Sequence, residues 1–177
     1  MRALLVSCLA FLCCQSIGAP GTFAQAKQAA FDSSPTALLN HLAGRWAGDG
    51  TIKWFDGQLD PYKCVMTFFV QDAGTRARQN FRCHGKSDYI GDGNAVRFEL
   101  SIDWRLQGDK VTGNWHERVY EFRGTAQGHI KGNQVLANID GDVASAEVTM
   151  TVGECEARVV MQFREGIERL DATGRKC

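Results

Sequence analysis

The sequence has no excess charge of either sign, and this absence limits the partners it can have. Over 177 residues, lysine and arginine total 20 and aspartate and glutamate also total 20, so the formal charge is zero. A nucleic-acid partner would require a basic face. No long charged run, internal repeat or low-complexity tract occurs either. We therefore expect no nucleic-acid partner and no second domain.

The apolar segment at the N-terminus is too short to anchor the chain in a membrane. Ala3 to Cys14 supplies about 12 apolar residues, and a spanning helix needs ~20. The segment follows the charged Met1-Arg2 and precedes the small-residue pattern Ala24-Gln25-Ala26, which is the layout of a secretory signal peptide. We predict a signal peptide over 1–26, cleaved after Ala24 or Ala26, no transmembrane segment in the mature chain, and a periplasmic or secreted location.

Familiar catalytic and metal-binding motifs are missing as well. The sequence has no Cys-x-x-Cys, no closely spaced histidine pair, no His-Glu-x-x-His and no Gly-x-Ser-x-Gly. The histidines fit solvent-facing or helix-capping roles, and they are His41, His84, His116 and His129. We therefore expect no metal, no cofactor and no enzymatic activity.

Four cysteines lie beyond the predicted signal peptide, and an even number in an oxidising compartment indicates disulfides rather than a zinc site. Two strand-like runs, Tyr62 to Gln71 and Arg76 to Cys83, can fold as a hairpin about Ala73-Gly74. This register places Cys64 directly opposite Cys83, within the distance that a disulfide accepts. The sequence therefore predicts a Cys64–Cys83 disulfide.

The remaining pair, Cys155 and Cys177, flanks a second hairpin with two alternative registers. A turn centred on Gly166 sets the two cysteines opposite each other but places apolar side chains against polar ones. A two-residue turn at Glu165-Gly166 matches the apolar faces and needs a bulge near Gly174 to bring the cysteines level. Both alternatives lead to a Cys155–Cys177 disulfide.

From Gly44 onward the dominant sequence period is two, which is typical of half-buried strands. The clearest run is Val96 to Arg105, in which apolar and polar residues alternate. We predict a single all-β domain over 44–177, an antiparallel up-and-down barrel of about 8–10 strands. Residues 27–43 form a leader and a short helix capped by Ser34, which we expect to plug one barrel end. The turn signals between strands are Asp56-Gly57, Asp92-Gly93-Asn94, Gly108-Asp109, Gly132-Asn133 and Asp140-Gly141.

The helix-to-strand entry Gly44-x-Trp46 resembles that of lipocalin and calycin barrels. The longer strings Leu42-Ala43-Gly44-Arg45-Trp46-Ala47-Gly48-Asp49-Gly50-Thr51-Ile52 and Val111-Thr112-Gly113-Asn114-Trp115-His116-Glu117 resemble an uncharacterised family of small exported bacterial barrel proteins. The Cys64/Cys83 hairpin fits the same family. The resemblance covers most of the mature chain and implies the fold. Because calycins often hold a small apolar molecule, it also implies a small apolar or amphipathic ligand.

The candidate ligand-binding residues are those expected to point into the barrel. Trp46, Trp54, Trp104 and Trp115 either line a cavity or fill the core. Glu117 shares the inward face of Trp115, and a buried carboxylate is costly unless it is paired. It is a polar anchor for a ligand, the partner of an interior arginine, or a residue at the barrel rim.

Two functions follow from these patterns. The first is a barrel that binds a small hydrophobic or amphipathic ligand in its interior. The alternative is an envelope or secreted protein that binds or inhibits another protein through its outer surface and loops. The loops named for that role are Tyr89-Ile90 and Trp54-Phe55.

Overall fold

A computed structural model of the chain describes residues 34–87 and 94–177. Within them, strands join in chain order into one closed antiparallel barrel, in which the last strand pairs with the first. The predicted up-and-down barrel is therefore confirmed, with ten strands among the described residues. The predicted signal peptide, the Tyr89-Ile90 loop and most of the turn at 92–94 lie outside the described residues.

The elements follow the period-two pattern of the sequence. A helix, α1 (Pro35–Leu42), precedes the barrel. The strands are β1 (Gly44–Trp54), β2 (Leu59–Gln71), β3 (Arg76–Ser87), β4 (Asn94–Gln107), β5 (Lys110–Glu117), β6 (Arg123–Lys131), β7 (Gln134–Gly141), β8 (Ser145–Val152), β9 (Glu156–Phe163) and β10 (Ile167–Arg175).

Alternate side chains of every strand point inward and form one core that fills the barrel. Phe81, Leu100 and Met161 are examples, each at most 4% exposed. One predicted turn comes slightly later than its signal: Asp140-Gly141 still belongs to β7, and the turn into β8 follows at 142–144. The strand continues because Gly141 pairs with Gly124 of β6, beneath the ring of Trp115.

The predicted helix closes one end of the barrel. Ser34 Oγ accepts a hydrogen bond of 3.2 Å from the Ala37 amide, as a helix cap does. The side chains of Leu38, Leu39 and Leu42 are buried against the core. We call this end the helix end, and the opposite end, formed by the β1–β2, β5–β6, β7–β8 and β9–β10 connections, the loop end.

Both predicted disulfides are present. Cys64 lies directly opposite Cys83 on β2 and β3, with a Cα–Cα distance of 4.2 Å, and the bond lies inside the barrel. The Cys155–Cys177 bond spans 5.3 Å between Cα atoms at the helix end.

The second hairpin has the register of the two-residue turn, with Met161 opposite Leu170. The predicted bulge near Gly174 is wrong, because β9 and β10 pair without interruption through Gly174 to Arg175. In this register Cys155 would lie opposite Lys176, one residue before Cys177. The chain makes up this one-residue difference after β10 ends, where the Lys176 amide donates to the Cys155 carbonyl at 3.2 Å.

Candidate functional site

The four tryptophans all point inward and are at most 7% exposed. Each indole N–H has its own acceptor. The acceptors are Leu42 O for Trp46 (2.8 Å), Asp60 Oδ2 for Trp54 (2.7 Å), Gln79 Oε1 for Trp104 (2.9 Å) and Asp140 O for Trp115 (3.1 Å). Only Trp104 of the four lines the interior cavity described next, so the tryptophans do not share that cavity.

The interior among the described residues is almost completely filled. A cavity of about 20 Å³ lies in mid-barrel, lined by Trp104 together with apolar side chains such as Phe81 and Met161. That volume holds about one water molecule, whereas sites for small ligands measure about 300–1,000 Å³. In this conformation, the middle of the barrel serves as core.

A polar cluster interrupts this apolar interior at the loop end. Asp60 is only 5% exposed, and its carboxylate accepts hydrogen bonds from three neutral donors. They are Trp54 Nε1 at 2.7 Å, Ser87 Oγ at 2.5 Å and Gln58 Nε2 at 3.0 Å. Among the described residues no cation lies within ion-pair distance of Asp60.

The Asp60 carboxylate remains ionised in spite of its burial. Burial alone raises the pKa of this group. The hydrogen bonds from Ser87, Gln58 and Trp54 together lower the pKa by more than burial raises it, so that the net pKa lies below the ordinary aspartate value. The loop end of the barrel therefore contains a buried negative charge.

Tyr62 lies next to this charge with its hydroxyl unsatisfied. The side chain is 3% exposed, and its hydroxyl has no hydrogen-bond partner among the described residues. Burial raises the pKa of Tyr62 to about 12, and the nearby Asp60 and Tyr120 add to the rise, while a weak hydrogen bond with the Ser87 hydroxyl, outside normal hydrogen-bond geometry, opposes it. Leaving such a group unpaired costs about 1–3 kcal/mol, so its position requires an explanation.

Glu117 also lies at the loop end, where β5 finishes. It is 2% exposed, as the inward face predicts. Its carboxylate accepts from backbone amides: Glu99 N at 2.9 Å, Val119 N at 2.9 Å and Tyr120 N at 2.7 Å. These contacts match the rim alternative, since amides of the β5–β6 turn and β4 satisfy the charge, and no arginine of the described residues lies within ion-pair distance of Glu117. Its use as a ligand anchor stays a prediction.

Exposed apolar side chains collect around the same end. Among the described residues, five of the six large ones lie there, and the sixth, Phe69, lies at the helix end. The five are Phe55 (56% exposed), Leu59 (62%), Val119 (38%), Tyr120 (51%) and Val143 (52%). The loop end thus combines a buried polar cluster with an apolar rim. Trp54, which the sequence named with Phe55 as a loop residue, is buried within the cluster.

The histidines do not form a site. His84 and His129 are exposed, His41 Nε2 hydrogen-bonds to the Gly153 carbonyl at 3.0 Å, and His116 Nε2 pairs with Glu121 at 3.0 Å. No group of His, Cys, Asp and Glu within residues 34–87 and 94–177 could hold a metal ion.

Sequence reasoning missed Asp60, Tyr62 and Ser87. A signal was available, because Tyr62 shares the inward face of the strand that carries Cys64. Extending that alternation back by two residues places Asp60 inside as well. A charged residue at an inward position is the observation that could have found the cluster.

One comparison with a solved structure supports the fold. An S-type phycobiliprotein lyase from Guillardia theta has a similar structure, with a TM-score of 0.59 and 9% identity over 86% of this chain and 98% of the lyase. A redesigned β-barrel matches with a TM-score of 0.41 and 14% identity over 82% of this chain and 97% of that one. No protein-family model matches the sequence, and no curated protein matches it either.

The likeness to the lyase corrects one expectation. The sequence predicted a protein that is not an enzyme, because familiar catalytic motifs are missing. That prediction is contradicted, since a protein described as a lyase has a barrel of this fold. Missing motifs therefore exclude no activity for this chain.

No helix of the described residues is long and apolar enough to cross a bilayer.

Proposed function

We propose that this chain binds a small amphipathic molecule at the loop end of its barrel. The observation that carries the proposal is the buried Tyr62 hydroxyl, which makes no hydrogen bond of normal geometry among the described residues, has only the Ser87 hydroxyl as a weak neighbour, and lies beside the buried Asp60 carboxylate. A polar group of the ligand that forms a hydrogen bond with the Tyr62 hydroxyl, either as acceptor or as donor, would remove the cost of this arrangement. The likeness to a phycobiliprotein lyase supports a barrel that handles a small molecule.

The charge of the cluster limits the polar group of the ligand. Asp60 is ionised and has only neutral donors around it. A second negative charge beside it would be repelled strongly, because Coulomb interactions are strong in a buried site. The ligand therefore presents a neutral or cationic polar group to Tyr62.

The apolar rim supplies the other half of the site. Phe55, Leu59 and Val143 are each more than half exposed, and Tyr120 stacks on Phe122 with 5.8 Å between ring centroids. Covering such side chains contributes about 25 cal/mol per Å² of apolar area. An apolar part of the ligand that lies across this rim would explain why these apolar side chains are exposed in the free protein.

The first experiment is native mass spectrometry of the protein purified gently from its own host. A stoichiometric extra mass that is lost on denaturation is the expected result. The same spectrum, taken after denaturation, reports the signal-peptide cleavage site and, by four missing hydrogens, both disulfides.

The second experiment locates the site with a neutral amphipathic dye, Nile red, followed by its fluorescence. Tyr62→Phe keeps the ring and removes the hydroxyl, and Asp60→Asn removes the charge; we expect each to weaken dye binding about tenfold. Phe69→Ala, at the helix end, is the matched control and should bind as the wild type does. Equal binding by all four proteins would exclude the loop end as the site.

A protein partner is the second candidate function, because the same five exposed apolar side chains could be covered by another chain. Crosslinking in intact cells distinguishes the two. One dominant partner, lost in the double variant Phe55→Ser/Val143→Ser, favours the protein partner. Retained crosslinking in that variant, or none in the wild type, favours the small ligand.

A further inference from the structure

Two neighbouring hollows on the outer face of β3 to β6 concentrate arginine side chains. Their volumes are about 550 and 560 Å³, and they share Arg78, Asp103, Asn114 and Arg118. Among the described residues five arginines and one carboxylate, Asp103, line the combined surface, which we call the arginine groove. The five are Arg76, Arg78, Arg105, Arg118 and Arg123.

The excess of arginine side chains is confined to this part of the surface, because the chain as a whole has no net charge. Another groove, of about 630 Å³, lies on the outer face of β1, β9 and β10 and provides a comparison. It is lined by three basic and three acidic side chains, namely Lys53, Arg158, Arg169, Asp49, Glu156 and Asp171. Balanced charges therefore line one outer groove, whereas basic side chains outnumber acidic ones in the lining of the arginine groove.

The strand register places like charges together in the arginine groove. Arg76 of β3 lies directly opposite Arg105 of β4, an arrangement that destabilises an isolated sheet. No carboxylate of the described residues lies within ion-pair distance of Arg105 or Arg118. Arg76 approaches Asp72 at 3.6 Å, but both side chains are more than half exposed and such a pair contributes little.

The other arginines are only partly neutralised. Arg78 holds Asp103 through two hydrogen bonds of 2.6 and 3.2 Å. Arg123 reaches Glu121 at 3.7 Å, again between exposed groups. A bound anion would therefore meet uncompensated positive charge along the groove.

The groove is long, with positive charge at both ends. Arg105 pairs with Thr112 of β5, and Arg118 follows Thr112 by six positions, which is about 20 Å at ~3.3 Å per residue. Amide and hydroxyl side chains lie between, where Ser101 Oγ donates to Asn80 Oδ1 at 2.9 Å. Phe69, 53% exposed, also lines the groove.

We propose that the arginine groove binds an acidic oligosaccharide. Guanidinium groups recognise carboxylates and sulfates through paired hydrogen bonds, and their spacing matches an extended molecule with several anionic groups. The amides of Asn80 and Asn114 are suited to sugar hydroxyls, and the ring of Phe69 offers an apolar surface to the CH face of a sugar. A nucleic-acid strand fits less well, because it would require several stacking aromatic side chains.

The test is calorimetric titration of the mature protein with a hexamer of galacturonate and a heparin hexasaccharide. We expect measurable binding of at least one of them, and none of the neutral maltohexaose. Arg105→Gln/Arg118→Gln should weaken binding about tenfold or more. Lys131→Gln/Arg164→Gln changes the charge equally at two exposed positions outside the groove, so its affinity should remain within about twofold of wild type.

Two further measurements separate this site from simple attraction of anions. Asn114→Ala should weaken the oligosaccharide but not tripolyphosphate, which lacks hydroxyl groups. Nile red binding at the loop end should be unchanged in Asn114→Ala, which lies within β5 and away from the loop end, so this variant tests the two sites independently. The proposal is overturned if neither acidic hexamer binds, if the arginine variant binds like its control, or if tripolyphosphate or a single-stranded oligonucleotide binds as tightly.

Discussion

At the scale of single residues, Tyr62 contributes an unusual pH dependence because its hydroxyl is buried without a partner among the described residues. Burial, Asp60 and Tyr120 raise its pKa from 10 to about 12. The folded protein therefore holds the phenol proton more tightly than the unfolded chain. Stability from this difference is fully present below pH 10 and is lost as the pH rises towards 12, by about 3 kcal/mol in total.

Tyr62→Phe tests this dependence. The variant lacks the unsatisfied hydroxyl, so we expect it to be about 1 kcal/mol more stable than wild type at pH 7. The advantage should widen between pH 10 and pH 12, where only the wild type loses the tyrosine contribution. Urea unfolding across this range measures both effects. Parallel stability curves for the two proteins would contradict the assignment.

Asp171 contributes stability at the acid side of the pH range. Its carboxylate accepts hydrogen bonds from Arg158 at 2.8 and 2.6 Å and from Arg169 at 2.8 Å. The Arg158 hydrogen bonds lower the pKa most, burial opposes them, and Arg169 lowers it further, so that the net pKa is below 3.8. Since the folded-state pKa is depressed, the contribution is present above about pH 4 and is lost as the pH falls.

Asp171→Asn should therefore cost about 1 kcal/mol at pH 7, and the difference from wild type should shrink at pH 3. Asp49→Asn is the matched control on the same barrel, because Asp49 and its partner Lys63 are 76% and 71% exposed. That pair should contribute less than about 0.5 kcal/mol. Equal losses in the two variants would show that the arginine pair around Asp171 has no special role.

At the scale of elements, β6 and β7 are shaped by the ring of Trp115. A Cβ at Gly141 would lie 2.2 Å from Trp115 Cζ2, and one at Gly124 would lie 1.9 Å from the Asp140 carbonyl. These two glycines pair with each other across the strands. Because Gly124 and Gly141 have no side chains, the Trp115 indole fits against their backbone. A side chain at either position would displace the ring.

Gly141→Ala should destabilise the barrel by about 1–3 kcal/mol, because the added methyl group would clash with the ring of Trp115, which is only 4% exposed. Gly108→Ala is the comparison variant, because a Cβ at Gly108 would meet open space. Its loss of stability would arise only from the backbone φ of 65°, which alanine adopts with strain. Near-UV circular dichroism should change in the first variant and not in the second. An unchanged tryptophan signal in Gly141→Ala would contradict the packing argument.

The strands and the first hairpin could be predicted because period-two patterns and turn residues are local signals. The Cys64–Cys83 register follows from counting outward from one turn, and the structure has the same pairs. The end of β7 could not be predicted, because Asp140-Gly141 looks like a turn until Trp115 of another strand is placed over it. The one-residue displacement of Cys177 relative to Cys155 likewise could not be predicted, because it depends on the Lys176–Cys155 hydrogen bond beyond the last strand pair.

The candidate site was harder to predict than the fold. The inward position of Glu117 followed from alternation, but its backbone partners lie in a turn and a neighbouring strand whose geometry the sequence does not show. Tryptophan composition indicated large inward side chains without distinguishing a lined cavity from a filled core. That distinction depends on the volume left over, which only the packed barrel determines.

At the scale of the whole molecule, the barrel is held by two disulfides with different surroundings. Cys64–Cys83 lies inside the barrel against Gly50, whereas Cys155–Cys177 ties the last residue to the helix end. The sequence separations are 19 and 22 residues, so loop entropy alone gives each bond about 3 kcal/mol. Together they account for a large share of the 5–15 kcal/mol typical of a domain.

The two bonds should nevertheless differ in their effect when they are removed. Cys155→Ser/Cys177→Ser loses only the constraint, and faster hydrogen exchange should be confined to α1 and the end of β10, where Lys176 Nζ donates to the His41 carbonyl at 2.6 Å. Cys64→Ala/Cys83→Ala also leaves a void among residues 5% exposed or less, so it should cost about 1–2 kcal/mol more and raise exchange throughout the barrel. Urea unfolding with exchange mass spectrometry measures both. Equal losses with identical exchange maps would mean that the interior bond acts by loop entropy alone, whereas the expected difference would make an oxidising compartment necessary for a stable core.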